Sequence, residues 1–292
     1  MSSQKRTTLE VGQKIRVTIE KIAHGGHFIA RYEGAVIFVR HGIPGEECEI
    51  EITSTGSSFN RADVVEVLSP SEDRVSAPCR FAHRSGCGGC DFQHISLPRQ
   101  RDLKSDVITE QFARIAKMDI EVDVEEVAGP LGWRTRCSAV TTKAGALGFY
   151  QARSHKIIPV DDCRILVPDM RYSELAQRGA KGDQRIEISI SNTGERTIAT
   201  ANARDESPLR VSDGPDVAHY TVGENSFEVS QKSFWQSHKD APRVLTEVVR
   251  EFAQVVPGDH VLDLYGGVGL FSAALLSEVG SEGAIDLVEG SK

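Results

Sequence analysis

Three cysteines lie close together in the stretch "CRFAHRSGCGGCDFQH": Cys79, Cys87 and Cys90. A C-x2-C pair with a third cysteine nearby can place three thiolates around one metal centre, because the glycines between them let the backbone fold tightly. Six cysteines in a reducing compartment are not expected to form disulfides in a chain of this length. The spacing therefore predicts a metal site.

The other cysteines bear on which metal this is. Zinc commonly takes four thiolates from two C-x2-C pairs, and a second pair is absent, whereas a clustered set plus a remote cysteine favours a [4Fe-4S] cluster. Cys163, in the turn-like "PVDDCRIL", is a better fourth ligand than Cys137, whose neighbours look like a strand. Cys48 and Cys137 are expected to be small buried hydrophobes. His83 and His94 are expected to serve packing or to face solvent.

A glycine-rich turn in "VLDLYGGVGLF" is the second group that could do chemistry. Gly266, Gly267 and Gly269 let the backbone approach a ligand closely, and the N-terminus of the following helix favours the polar groups of that ligand. Ser272 stands at the third position of a G-x-G-x-x-G pattern, which argues against a dinucleotide site.

Glu289 ends the apolar stretch "AIDLVE", 20 residues after Gly269. At this distance its carboxylate can accept hydrogen bonds from both hydroxyls of a ribose. The turn and the acid together predict an adenosine cofactor such as S-adenosylmethionine. The alternative is an ordinary βαβ unit in which Glu289 is merely solvated.

The composition is that of a globular protein, with 39% hydrophobic and 26% charged residues. A chain of 292 residues is long enough for two or three domains. No run of about eighteen apolar residues occurs, and the start "MSSQKRTTLEVGQK" has no apolar core for a signal peptide. We therefore expect a cytoplasmic protein that does not act at a membrane.

The net charge of −8 argues against indiscriminate coating of nucleic acid, yet contacts to phosphate need only one basic face. The window from Val127 to Val160 contains no Asp or Glu and combines basic with aromatic side chains. Its basic residues are the predicted RNA-binding residues: Arg134, Arg136, Lys143, Arg153 and Lys156.

The elements that must position these groups follow from periodicity. Residues 7–68 alternate apolar and polar side chains between turns, which predicts a five-stranded barrel of the OB type, a fold that often binds oligonucleotides. The alternative is a barrel that only packs against its neighbours. Residues 98–121 show helical spacing behind Pro98. Residues 122–232 indicate mainly strands, and a helix of about fifteen residues follows from Asp240.

These motifs resemble the bacterial 5-methyluridine RNA methyltransferases, specifically the iron-sulfur branch that includes the 23S ribosomal RNA uracil-C5 methyltransferases. The resemblance covers nearly all 292 residues and implies an α+β, multidomain fold. Its implied parts are an N-terminal OB-type β-barrel or TRAM domain (7–68), an iron-sulfur cluster segment (69–97), a helix packing on the methyltransferase domain (98–121), a central β-rich RNA-binding domain (122–232) and the truncated start of a Rossmann-like, S-adenosylmethionine-dependent methyltransferase domain (233–292).

The resemblance also implies residue roles. "CGGCDFQHI" is similar to the family's cluster motif, so the ligands of a [4Fe-4S] cluster would be Cys79, Cys87, Cys90 and Cys163. "SFWQSHKDAP" and "DLYGGVGLF" are similar to cofactor-contacting segments, so the cofactor-binding residues would be Gln236, Tyr265, Gly267, Gly269 and Glu289. The implied partner is ribosomal or transfer RNA, methylated at C5 of uridine, and no obligate protein partner is implied.

Three features depart from the family pattern. Seven residues separate Cys79 from Cys87, more than in the better-known members, and Leu270 stands where some members carry a cofactor-contacting Asn. Members also continue through further strands that carry a cysteine nucleophile and a glutamate base. The cysteine attacks C6 of uracil to make C5 nucleophilic, and the base then removes the C5 proton. We therefore expect a truncated member without catalytic residues, inactive alone.

Two other interpretations stay open. The chain could be an RNA-binding iron-sulfur module with no catalytic duty, since the barrel, the basic window and the cysteine set are all present. It could also be a frameshifted or cut product whose remaining residues are encoded downstream. Binding of S-adenosylmethionine separates the first of these from the methyltransferase interpretation.

Overall fold

The structure is a computed structural model that describes residues 8–204 and 207–290. Thr7, Ser291 and Lys292, which the expected domain limits include, lie outside the described residues. The chain divides into two compact units, the first formed by Met1–Glu126 with Tyr150–Ile158 and the second by Val127–Phe149 with Pro159–Lys292. None of the described helices is long and apolar enough to span a membrane.

The first unit contains a six-stranded sheet of short strands. Alternate residues face its core, as the two-residue period of a strand requires, and Phe28, Ile37 and Ile50 are fully buried there. The strands are β1 (Lys14–Thr18), β2 (Lys21–Ala23), β3 (His27–Tyr32), β4 (Ala35–Arg40), β5 (Glu47–Ser54) and β6 (Asn60–Ser69).

The order β1-β5-β6-β4-β3-β2 places β1 and β2 at opposite edges of this sheet, although they are consecutive in the chain. Between them Ile19 N donates to Glu46 O at 2.9 Å and Glu20 N donates to Ile29 O at 2.8 Å. The two edges are therefore joined, and β1 and β2 act as one bent strand. The outcome is the five-stranded barrel expected from the sequence.

The cysteine-rich segment after β6 is irregular apart from an isolated bridge between Arg74 and Ile95. It leads into α1 (Leu97–Gln111), which has Pro98 in its first turn as expected, and then into a π-helical turn at Phe112–Ala116. The helix ends earlier than the expected limit because Lys117 adopts a left-handed conformation, with φ 58°.

Helix α1 packs within the first unit. Leu103 is fully buried in the barrel core, Val107 packs against the same core, and Lys21 Nζ lies 2.7 Å from a Glu110 carboxylate oxygen. These contacts fix the helix to the barrel. Its packing on a methyltransferase domain stays a prediction.

A six-stranded sheet of order β12-β11-β10-β7-β8-β9 comes next in the chain. The strands are β7 (Arg136–Thr141), β8 (Leu147–Tyr150), β9 (Ile157–Pro159), β10 (Gln184–Ile190), β11 (Arg196–Asn202) and β12 (Arg210–Asp213). Strands were expected here, but a short 3-10 turn at Pro168–Met170 and the helix α2 (Tyr172–Arg178) were not. Seven residues are too few to show a helical period in the sequence.

A hairpin and a strand-helix-strand unit complete the chain. The elements are β13 (Val217–Val222), β14 (Asn225–Ser230), α3 (Ala241–Ala253), β15 (His260–Leu264), α4 (Leu270–Val279) and β16 (Ala284–Val288). Helix α3 begins directly after Asp240, as expected. Strands β15 and β16 pair in parallel, with α4 as their connection. This parallel pair places the glycine turn and Glu289 at the same edge.

Candidate cofactor, metal and RNA-binding sites

The glycine turn connects the carboxyl end of β15 to the N-terminus of α4. Tyr265, Gly267 and Gly269 all have positive φ, at 62°, 57° and 82°, and glycine adopts such values without steric cost. The backbone N–H groups of Tyr265 and Gly266 donate to Val288 O at 2.8 and 3.2 Å, which anchors the turn to the end of β16. The Tyr265 side chain is 90% exposed and free to meet a ligand.

Two carboxylates hold this turn in place. Glu289 Oε2 accepts a hydrogen bond from Gly267 N at 2.9 Å. Asp263 Oδ2 accepts from Ser272 N at 3.1 Å and from Ser272 Oγ at 2.6 Å, which satisfies a free N–H in the first turn of α4. The structure thus gathers four of the five predicted cofactor residues at one turn. Asp263 was not singled out, although an acid two residues before the turn was a usable signal.

Gln236, the fifth predicted cofactor residue, lies between β14 and α3. Its neighbour Trp235 is buried against Tyr220 and Phe227, with ring centroids 4.6 and 5.4 Å apart, and belongs to the same hydrophobic cluster as Leu270 of α4. Gln236 itself is half-buried. Within the described residues no hydrogen bond joins it to the glycine turn.

An open cleft of about 800 Å³ in the second unit includes Gln236. Trp235 and Tyr220 give its wall an aromatic part, and Lys239 and His238 lie at the same wall. Burial lowers the pKa of His238, so the imidazole is neutral near pH 7 and can donate or accept a hydrogen bond. A cleft of this size with a few polar groups suits a ligand of cofactor dimensions.

Cys79, Cys87 and Cys90 all lie in the first unit, each half-buried. Gln93 links two of them, since its Oε1 accepts from Cys79 N at 3.1 Å and its side chain hydrogen-bonds to Cys90. Burial raises the pKa of the Cys87 and Cys90 thiols, and the neighbouring thiol charges raise the pKa further. Sequence reasoning missed Gln93, and the amide three residues after Cys90 was the available signal.

The donor set has the chemistry of an iron-sulfur site, because thiolates are the usual ligands of such clusters. The arrangement is not that of a closed metal site. Among residues 8–204 and 207–290, no group of three or more His, Cys, Asp or Glu side chains is placed to hold a metal ion. Cys163 belongs to the second unit, where its charge raises the pKa of Cys137 after burial, the larger cause. The four-ligand set stays a prediction.

The side chains expected to serve packing can be followed individually. Cys48 is fully buried, and the Sγ of Cys137 on β7 lies 3.8 Å from Met170 Sδ. Burial raises the pKa of both thiols to about 12. His94 packs edge-on against His41 and its Nε2 lies 3.1 Å from a backbone carbonyl oxygen. These positions agree with a packing role.

Arg134 and Arg136, two of the predicted RNA-binding residues, brace the backbone of the second unit. Arg134 Nε donates to Arg136 O at 2.8 Å. The two terminal nitrogens of Arg136 donate to Ser233 O and Gln231 O at 3.0 and 3.1 Å. These bonds use guanidinium donors that RNA phosphates would otherwise receive, and RNA binding by both residues stays a prediction.

The remaining basic residues of the window are exposed. Lys143 lies on the turn between β7 and β8 in the second unit. Arg153 and Lys156 lie on the turn within residues 150–158, which belongs to the first unit. The window that is continuous in sequence therefore supplies cations to both units.

Comparison with known proteins places these features in context. The sequence model of the TRAM domain matches residues 8–65, which cover the barrel. An uncharacterized RNA methyltransferase of Streptomyces coelicolor is 36% identical over 97% of this chain and 69% of its own length. A 23S rRNA (uracil(1939)-C(5))-methyltransferase of Shewanella amazonensis is 29% identical over 97% of this chain and 73% of its own length.

A solved structure shares the fold. The tRNA (uracil-54, C5)-methyltransferase of Pyrococcus abyssi, in complex with S-adenosyl-L-homocysteine, superposes with a TM-score of 0.62 at 16% identity. The superposition covers 94% of this chain and 79% of the other. At this identity the likeness shows a common fold.

Proposed function

The chain belongs to the family of RNA methyltransferases, and we propose that it serves the methylation of uridine at C5 in ribosomal or transfer RNA with S-adenosylmethionine as the methyl donor. The main support for this proposal is the glycine turn, in which Gly267 N donates a hydrogen bond to the Glu289 carboxylate. The Shewanella relative is named a uracil-C5 methyltransferase, and the solved neighbour was crystallised with the demethylated form of this cofactor. A TRAM domain on the same chain supports RNA as the partner.

The proposed cofactor contacts follow from the turn. Glu289 would bind the ribose hydroxyls, since its carboxylate already sits at the end of β16 where such acids act. Tyr265 would cover the cofactor with its exposed ring, and the positive φ of Gly267 and Gly269 keeps the backbone open for close approach. Gln236 would contact the cofactor from the cleft.

The proposed RNA contacts are made by the basic window, through Arg134, Arg136, Lys143, Arg153 and Lys156. The exposed Lys143, Arg153 and Lys156 would meet phosphates directly. Arg134 and Arg136 would bind phosphates through the N–H groups that do not already donate to the backbone, because a guanidinium has five N–H groups.

A [4Fe-4S] cluster on Cys79, Cys87, Cys90 and Cys163 is the proposed metal centre. The C-x2-C pair and the link through Gln93 support the first three ligands. Protein purified without oxygen should show broad visible absorbance with matching iron and sulfide. Cys87→Ser should abolish the colour, whereas the matched control Cys48→Ser should keep it. A colourless protein that contains zinc would overturn the cluster assignment.

No cysteine of this chain is assigned to the attack on uracil. Cys48 and Cys137 have thiol pKa values raised to about 12, which leaves little thiolate near pH 7, and the other four are the proposed cluster ligands. We therefore expect the 292-residue chain to bind cofactor and RNA without methylating by itself. Incorporation of labelled methyl groups at C5 of uridine by the purified chain would contradict this expectation.

Cofactor binding is the direct test of the proposed function. Calorimetry should detect S-adenosylmethionine binding to the wild-type chain. Glu289→Gln should weaken it by about 10- to 100-fold, because a charge-assisted hydrogen bond becomes a neutral one. Glu282→Gln, in the exposed connection before β16, is the matched control and should bind as wild type. RNA binding without any cofactor affinity would instead favour a non-catalytic iron-sulfur module.

A further inference from the structure

The barrel carries a cluster of aromatic rings on one face. Phe38 of β4 lies edge-on to Phe59, with ring centroids 5.0 Å apart, and edge-on to His27 at 6.4 Å. Phe59 directly precedes β6, and 37% of this residue is exposed. The rings support one another from behind and leave part of Phe59 accessible. Partly exposed aromatic rings on barrels of this type commonly stack with bases.

Two arginines lie near the rings: Arg61 beside Phe59, and Arg153 close enough to Arg61 and His27 for their charges to interact. The Arg61 guanidinium carbon lies 4.9 Å from the centroid of the Phe59 ring, and Arg61 Nε is buried with no hydrogen-bond partner. Arg153 is exposed as a residue; partial desolvation of its guanidinium, then repulsion from Arg61 and Arg40, lowers its pKa, and Asp91 and Asp63 oppose this shift. Neither Arg61 nor Arg153 makes an ion pair with a described residue. The cationic pair is therefore available to an anion from outside.

Two of the acids in this region form ion pairs with other arginines. Asp91 pairs with Arg40 at 2.7 Å, and Arg84 pairs with Glu51 at 3.1 Å. Burial raises the pKa of Asp63, the nearby Arg40, Arg84 and Arg153 oppose this shift, and Asp63 makes no ion pair with a described residue. Arg61 and Arg153 therefore supply the unpaired positive charge near the Phe38 and Phe59 rings.

The turn that carries Arg153 is fixed against the rest of the first unit. Gly88 N donates to Tyr150 O at 3.0 Å, and Gln151 Nε2 donates to Arg84 O at 3.3 Å. Arg153 itself has φ 53°, a conformation that costs free energy for a residue with a Cβ and persists where surrounding contacts impose it. The backbone of Arg153 is thus positioned before any ligand arrives.

We propose that the surface formed by Phe38, Phe59, Arg61 and Arg153 binds unpaired RNA. A base stacks on the exposed part of Phe59, and the adjoining phosphates lie on Arg61 and Arg153. A duplex offers no free base face to Phe59 because its bases stack on one another, whereas a single strand does. The inference rests on the proposed function, since that function supplies RNA as the partner, and it names the unpaired strand as what the barrel recognises.

Fluorescence anisotropy with a labelled single-stranded oligouridine and with the same strand in a duplex tests the proposal on the full chain. Phe59→Ala should weaken binding of the single strand by about 5- to 100-fold, the usual effect of removing a base-stacking ring, and should leave duplex binding unchanged. Phe59→Tyr should retain affinity because it keeps an aromatic face. The matched control is Phe112→Ala, which removes a ring of similar exposure from the same unit.

The arginines have a separate signature. Arg61→Ala should make the slope of log affinity against log salt shallower by the amount expected for one lost phosphate contact. The control Arg16→Ala, on the exposed side of β1, should leave the slope unchanged. Equal losses for Phe59→Ala and Phe112→Ala, or equal losses on single strand and duplex, would overturn the proposal while the wild-type affinity for RNA remains. Failure of the wild-type chain to bind either RNA would overturn the RNA partner of the proposed function as well.

Discussion

Glu46 is fully buried in the first unit, yet its charge is fully compensated. Its oxygens accept hydrogen bonds from Arg74 Nε and a terminal nitrogen at 2.6 Å each, from Ile43 N at 2.9 Å and from Ser71 N at 3.1 Å. The carboxylate therefore ties the barrel to the segment that leads to the cysteines. Such a pair contributes little relative to apolar residues, but breaking it leaves a buried charge without a partner.

Arg74→Met should lower the free energy of unfolding by about 3–5 kcal/mol, because Glu46 would lose its counter-ion in the core. Urea denaturation followed by circular dichroism measures the change. The control Arg31→Met breaks the exposed ion pair with Glu20 and should cost less than about 1 kcal/mol. Equal stability losses for the two variants would contradict this account of Glu46.

Two histidines make the stability of the first unit depend on pH. Burial is the main cause that lowers the pKa of His41 and of His94 to about 4, from an unfolded value of 6.5. Above pH 6.5 both states are neutral at these sites and the histidines have no effect. Below it the unfolded chain binds protons that the folded chain does not, so stability falls as the pH drops towards about 4.

His41→Asn should make this decline shallower, by at most about 3 kcal/mol at the acidic end. Asparagine is a suitable replacement because His41 has φ 68°, which asparagine tolerates, and His41 Nδ1 has no hydrogen-bond partner to lose. Denaturation midpoints across the acidic range give the slope. His24→Asn, at an exposed position of the same barrel, is the control. An unchanged slope in His41→Asn would contradict the contribution of His41 to the loss of stability in acid.

The turn of residues 150–158 packs closely against the cysteine-rich segment at Gly88. A Cβ on Gly88 would lie 2.5 Å from Ala152 N, closer than real contacts allow, whereas a Cβ on Gly89 would meet nothing closer than 3.5 Å. Gly88→Ala should therefore break the bond from Gly88 N to Tyr150 O and raise amide hydrogen exchange across 150–158. Gly89→Ala should keep the wild-type exchange pattern. Wild-type protection of the 150–158 amides in Gly88→Ala would contradict the close contact between Gly88 and Ala152.

The elements also show where sequence reasoning succeeds and where it stops. The barrel strands and α3 were predictable because their apolar residues repeat with a clear period over several turns or strands. The early end of α1 was not, since it depends on the left-handed conformation of Lys117, which no residue type dictates. The hydrogen bonds from Arg136 to the backbone could not be predicted either, because their acceptors lie 95 and 97 residues away in the chain.

At the scale of the whole molecule, RNA binding has to coexist with a net charge of −8. The cations proposed to meet phosphates are few: the exposed Lys143, Arg153 and Lys156, and the half-buried Arg61. With about 0.7 counterions released per phosphate of a single strand, log affinity against log salt should have a slope of about −2 to −4. Anisotropy titrations at increasing potassium chloride measure it. A slope steeper than about −8 would indicate indiscriminate binding instead.

The division of the chain into two units limits which coding segments recombination can exchange intact. The first unit takes its residues from two separate stretches, Met1–Glu126 and Tyr150–Ile158, with part of the second unit encoded between them. A recombination event that moved the first stretch alone into another gene would leave behind Tyr150 and Ala152, the partners of Gly88. A single uninterrupted block of coding sequence therefore cannot carry the whole first unit without part of the second.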